Sequence, residues 1–149
     1  MSVTAKIIKL PPVQAVGHEL ADALKNSIYV AQSGTVVVGT DTLPAQLFAV
    51  PKNILITDVV VQTDSAITGA SPDYLVIGDS SDTDLFHSST DVLNVGWHSA
   101  HYGSAKAAGG LLTTDAVNIW ALHSPTSSAG QYKVYVHYKP YADENYTEN

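Results

Sequence analysis

The run at residues 131–139, QYKVYVHYK, alternates apolar and polar side chains without a break. A strand turns successive side chains to opposite faces. Tyr132, Val134, Val136 and Tyr138 therefore share one face, and Gln131, Lys133, Tyr135, His137 and Lys139 share the other. A helix would scatter both sets around its cylinder. One face of this strand is predicted to be buried and the other to be wet or to meet a partner.

The same period governs most of the chain. SIYVA (27–31) and TVVVGT (35–40) flank Gln32, Ser33 and Gly34, a connection of hairpin length that contains glycine. AQLFAV (45–50) and ILITDVVVQT (54–63) flank the turn signal Pro51-Lys52-Asn53. DYLVIGD, LLTT (111–114) and AVNIWAL (116–122) follow. TVVVG and YLVIG are apolar on both faces, which predicts central positions in a sheet. Short strands separated by Gly, Pro, Asp and Ser turns predict an all-β fold, a jelly-roll-like β-sandwich.

Two segments depart from that pattern. VTAKIIKL (3–10) is an extended arm ended by Pro11-Pro12, which can neither continue a helix nor donate to a central ladder. Residues 13–25 carry Val13, Val16, Leu20 and Leu24 at helical spacing and are predicted to form the one short helix. GSAKAAGG (103–110) reads as a loop and ADENYTEN (142–149) as a flexible acidic tail. The predicted organisation is an arm over 1–12, a single β-sandwich domain over 13–141 and a tail over 142–149.

Composition narrows the function classes. With 149 residues, 45% of them hydrophobic, the chain can bury the core of one domain. Only 14% are charged, against about 25% in an average soluble domain, so the surface is polar but weakly charged. There is no arginine, the seven lysines are scattered, and the net charge is −7. Nucleic-acid binding needs a cluster of cations to displace counterions, so no nucleic-acid partner is expected. The lack of cysteine excludes disulfides, thiol nucleophiles and cysteine-bound zinc. No run approaches the roughly 18–20 apolar residues of a membrane-spanning helix. The first residues lack the apolar core of a secretion signal, so no membrane partner and synthesis in the cytoplasm are expected.

Four sets of residues could carry chemistry. Asp79, Asp82 and Asp84 lie in GDSSDTD and offer hard oxygen ligands of the kind calcium prefers. They lack the alternate ligand positions, central glycine and closing glutamate of an EF-hand. Asp and Ser also build turns by bonding backbone two residues on, and that is the favoured reading. His98 and His101 form an H-x-x-H pair, to which His87 or His123 would have to add a third zinc ligand. Residues three apart on a strand point to opposite faces, which argues against the pair. HELAD at 18–22 lacks the second histidine of a zinc-protease helix. No serine sits in a G-x-S-x-G elbow, and the three glutamates, Glu19, Glu144 and Glu148, lie near the two ends. No cofactor and no enzymatic activity are expected. The tyrosines and tryptophans leave open a sugar-binding platform. For Tyr132, Tyr135 and Tyr138 a core pair plus one exposed ring is favoured.

The order ILITDVVVQTDSAI, VIGDSSDTDLF, GSAKAAGG and VNIWALHSPTSSAGQYKVYVHYKPY resembles small β-sandwich capsid decoration (cement) proteins of tailed bacteriophages. The resemblance covers rather more than half the chain. It implies a non-enzymatic virion protein on the outer capsid surface, made in the host cytoplasm, acting as a homo-oligomer, typically a trimer. It implies contact with the major capsid protein, and an arm that reaches the capsid or a neighbouring subunit. The matching arm residues here are Val3, Lys6, Ile7, Ile8 and Leu10. An apolar extended arm needs a sheet edge to pair with, and strand addition is its natural mode. A phage tail, fibre or adhesion module that binds a carbohydrate is the alternative. A small metal-dependent barrel enzyme using His98 and His101 is a third reading, although the His-x-His pair and following Glu of cupin barrels are absent.

Overall fold

The computed structural model describes residues 3–8, 28–41, 43–88, 90–100 and 111–140. The predicted helix at 13–25, Leu10, His18, His101, the loop at 103–110 and the tail at 142–149 lie outside these residues.

The described chain forms ten strands: β1 (Lys6–Ile7), β2 (Tyr29–Gln32), β3 (Val36–Val37), β4 (Ala45–Val50), β5 (Ile54–Thr68), β6 (Leu75–Gly78), β7 (Gly96–Ser99), β8 (Leu111–Leu112), β9 (Val117–His123) and β10 (Ala129–Pro140). A short 3-10 turn at Thr90–Leu93 precedes β7. The strands make two sheets. Sheet A runs β1-β4-β9-β6, and sheet B runs β2-β10-β5-β7, with β3 pairing β10 and β8 pairing β5. From β4 to β7, and again from β8 to β10, the chain changes sheet between strands or after one pair, as jelly-roll-like sandwiches do. The predicted all-β sandwich is the observed fold.

The longest ladder joins β5 to β10, antiparallel from Ala129↔Thr68 to Pro140↔Ile54, with three register shifts. β5 is rich in β-branched residues and β10 alternates apolar with polar, and the inner positions of both fill the core. Val59, Val61, Tyr132, Val134 and Val136 from sheet B meet Leu47, Phe48, Ile77, Ile119 and Ala121 from sheet A in one cluster. The alternation along β10 is as its sequence demands: Tyr132, Val134, Val136 and Tyr138 are buried, while Lys133, Tyr135, His137 and Lys139 are half-buried on the other face.

Two placements differ from expectation. TVVVG contributes only the two-residue β3, and YLVIG contributes β6 at the edge of sheet A, so neither is central. The segment after β6 folds back along its free edge and satisfies backbone groups there. Phe86 and His87 donate their N–H groups to the Ile77 carbonyl at 2.8 and 3.2 Å, and Ile77 N–H donates to the His87 carbonyl. GWHS forms β7, which pairs Trp97 with Gln62 and His98 with Val61.

Candidate functional site

The arm meets its edge within its own chain. Lys6 and Ile7 pair parallel with Phe48 and Ala49 on β4, extending sheet A by one short strand. Ile8 donates its N–H to the Ala49 carbonyl at 2.9 Å and is buried, and Val3 packs on the core. Strand addition was legible in the residues; its acceptor is this sheet. Lys6 and Ile7 are both exposed, Ile7 by 68%.

The aspartate loop is a turn. Asp79 Oδ1 accepts hydrogen bonds from Ser81 N, Ser81 Oγ and Asp82 N at 2.8–2.9 Å, and Asp79 N–H donates to the Asp82 carbonyl at 3.0 Å. That is the Asx-turn chemistry predicted for it. The loop then folds over Gly78, where a Cβ would overlap the Asp82 carbonyl oxygen. Among the described residues, no three His, Asp or Glu side chains gather closely enough to hold a metal ion.

Two histidines lie inside the sandwich and join its sheets. His87 Nε2 donates to the Val59 carbonyl of β5 at 2.7 Å, so this ring is the Nε2–H tautomer. Burial outweighs that bond and the nearby Asp58 and holds the His87 pKa below its ordinary value. His123 on β9 shares a 3.1 Å hydrogen bond with the Tyr132 hydroxyl on β10, the rings meeting edge to face. Burial lowers the His123 pKa and raises that of Tyr132. Neither imidazole joins His98, whose Nε2 donates to the Asn94 carbonyl at 2.8 Å. His87 and His123 are framework groups.

The outward face of sheet B has a different character. Register places Val30 beside His137, Gln32 and Val60 beside Tyr135, and Trp97 beside Gln62. Trp97 is 64% exposed, and its ring lies 5.2 Å from that of Tyr135. The Tyr135 hydroxyl donates to Gln62 Oε1 at 2.8 Å, which fixes the ring pair. Ser99 Oγ donates to Asp58 Oδ2 on the same face. Ile28 and Val30 continue the apolar character across β2. Aromatic rings braced from below and open above are the usual make-up of a protein-contact surface.

No family model and no curated protein sequence matches this chain. Among solved structures, it is similar in fold to a chain of the cyanophage Pam1 capsid asymmetric unit, with a TM-score of 0.57 and 16% identity over 76% of this chain and 84% of that one. It is also similar to a chain of the capsid of Ralstonia phage GP4, with a TM-score of 0.58 and 14% identity over 80% of this chain and 88% of that one. The sandwich has the fold of a phage capsid chain.

The outward face of sheet B is the one that the alternation of β10 leaves either wet or in an interface. Trp97 was missed as part of it because GWHS is too short to show a period. The signal available was only that a tryptophan stood among polar residues.

Proposed function

We propose that this chain is a non-enzymatic virion protein that decorates and braces the outer surface of a phage capsid through protein–protein contacts. Its likeness in fold to chains of two phage capsids carries the reading. The resemblance in strand order to decoration proteins narrows it to that role. The outward face of sheet B, with Trp97 and Tyr135 at its centre, meets the major capsid protein. Lys6 and Ile7 of the arm meet a neighbouring copy, and the working unit is a homotrimer. A surface without arginine and with net charge −7 suits a place outside the shell better than one against packaged DNA.

The test uses heads of the phage that encodes this chain, assembled without it. Added protein should co-sediment with the heads and saturate at a fixed number of copies per particle. It should also raise the temperature at which the heads release DNA. Protein that stays in the supernatant at every concentration would contradict the proposal.

A further inference from the structure

On the opposite side of the sandwich, the outward face of sheet A holds a cleft of about 350 Å³ lined by Pro44, Asp79, Ser80, Thr83, Trp120 and Leu122. Its construction follows from the register. Trp120 on β9 pairs with Gly78 on β6 and Gln46 on β4. Gly78 carries no side chain, so the loop from Asp79 to Thr83 lies directly on the outer face beside the indole. A Cβ at Gly78 would collide with the backbone of Asp82 and Thr83, so this close seating requires glycine. The loop is one wall of the cleft, Pro44 is another, and Trp120 and Leu122, two apart on β9, form the floor.

The cleft pairs a flat apolar floor with oxygen groups on one wall. The turn spends Asp79 Oδ1 on Ser81 and Asp82, and none of those bonds uses Asp79 Oδ2, Ser80 Oγ or Thr83 Oγ1. A pyranose matches this arrangement. One face of the ring is a patch of C–H groups that stacks on indole, and its edge carries hydroxyls that donate to a carboxylate and exchange hydrogen bonds with alcohols. The volume falls at the low end of small-ligand sites, with room for a sugar ring and its substituents. A phosphate or other anion is a poor fit, because no cation lines the cleft and Asp79 would repel it.

We propose that this cleft is a carbohydrate-binding site, with Trp120 as the stacking platform and Asp79 and Thr83 as hydroxyl partners. It goes beyond the capsid role. On a particle held through sheet B, the sheet A face would point outward, toward sugars of a cell surface or its secretions.

The test is a fluorescence titration of the full chain carrying Trp97→Phe, which leaves Trp120 as its only tryptophan. The probes are the methyl glycosides of glucose, galactose, mannose and N-acetylglucosamine. At least one should change the Trp120 emission saturably, with a midpoint of roughly millimolar order, as expected of a single-sugar site. Adding Asp79→Asn, which keeps the Oδ1 acceptor of the turn, or Thr83→Val should weaken that midpoint about tenfold, the loss of one good hydrogen bond. Both variants should melt with the parent. Trp120→Ala in the natural background should abolish binding measured by calorimetry. No saturable response to any of the four glycosides, or a midpoint unmoved by Asp79→Asn and Thr83→Val, would overturn the proposal. Head binding is measured separately, so a chain that coats heads but ignores all four sugars would overturn this site and leave the capsid role standing.

Discussion

The two faces of β10 are made from one stretch of chain and do opposite work. Inward, Tyr132, Val134 and Val136 are closed from solvent, and Tyr132 reaches across to His123 in the other sheet. Outward, Tyr135 stacks near Trp97 and bonds Gln62, in partial contact with water. Inner residues are selected for volume and satisfied polar atoms, so changing them should cost stability. Outer residues hold little of the fold, so changing them should cost a partner. The contrast separates framework from function more sharply than any one chemical motif in the chain.

The largest break in that contrast comes from inside. Tyr132→Ala should lose roughly 3–5 kcal/mol, since it opens a cavity at a fully buried ring and strands the His123 imidazole. A urea or thermal melt reads it directly. If Tyr132→Ala melts with the parent, the inner face is not the framework described.

Next is the arm, which tests whether an element with one residue inside and one outside divides the same way. Ile8→Ala should cost roughly 2–5 kcal/mol, because Ile8 is 2% exposed and seals the edge of sheet A. Ile7→Ala, one position away, should stay within about 0.5 kcal/mol of the parent. Paired melts of the two variants compare them on one strand.

The buried imidazoles predict a pH dependence of the framework alone. Burial holds His87 and His123 below the ordinary value of 6.5, so both are neutral in the fold near neutral pH. In the unfolded chain they take up protons below about 6.5, where the fold does not, so the unfolded state binds more protons there. Stability should be level above that value and fall as the pH drops through and below it. Urea midpoints across that range check the direction, and His87→Gln should flatten part of the slope.

Much of this division was legible in the residues. QYKVYVHYK states its inner and outer faces outright, and AQLFAV is β4 from end to end. The turn at Asp79 was also readable, because Asp and Ser in that order bond their own backbone. Three features were not. AVNIWALH sets Ile119 and Ala121 against Trp120 and Leu122, apolar on both sides, so alternation cannot say which face is inside. The arm announced that it needed an edge, but local pattern cannot tell an edge of its own sheet from a partner's. YLVIG looked central because burial on both faces was inferred from composition. The partner of its free edge is the segment at Phe86 and His87, beyond the strand's own residues.

A small effect on stability should accompany the largest effect on function, and it gives the most direct test. Trp97→Ala with Tyr135→Ala should shift the melt by little more than two surface substitutions do, about 1 kcal/mol together. The same double variant should lose at least tenfold in apparent affinity for heads that lack this protein, read as copies bound per head by sedimentation at rising concentration. A double variant that melts with the parent and leaves the heads bare supports the sheet B face as the capsid contact. One that coats the heads as fully and as tightly as the parent would contradict it.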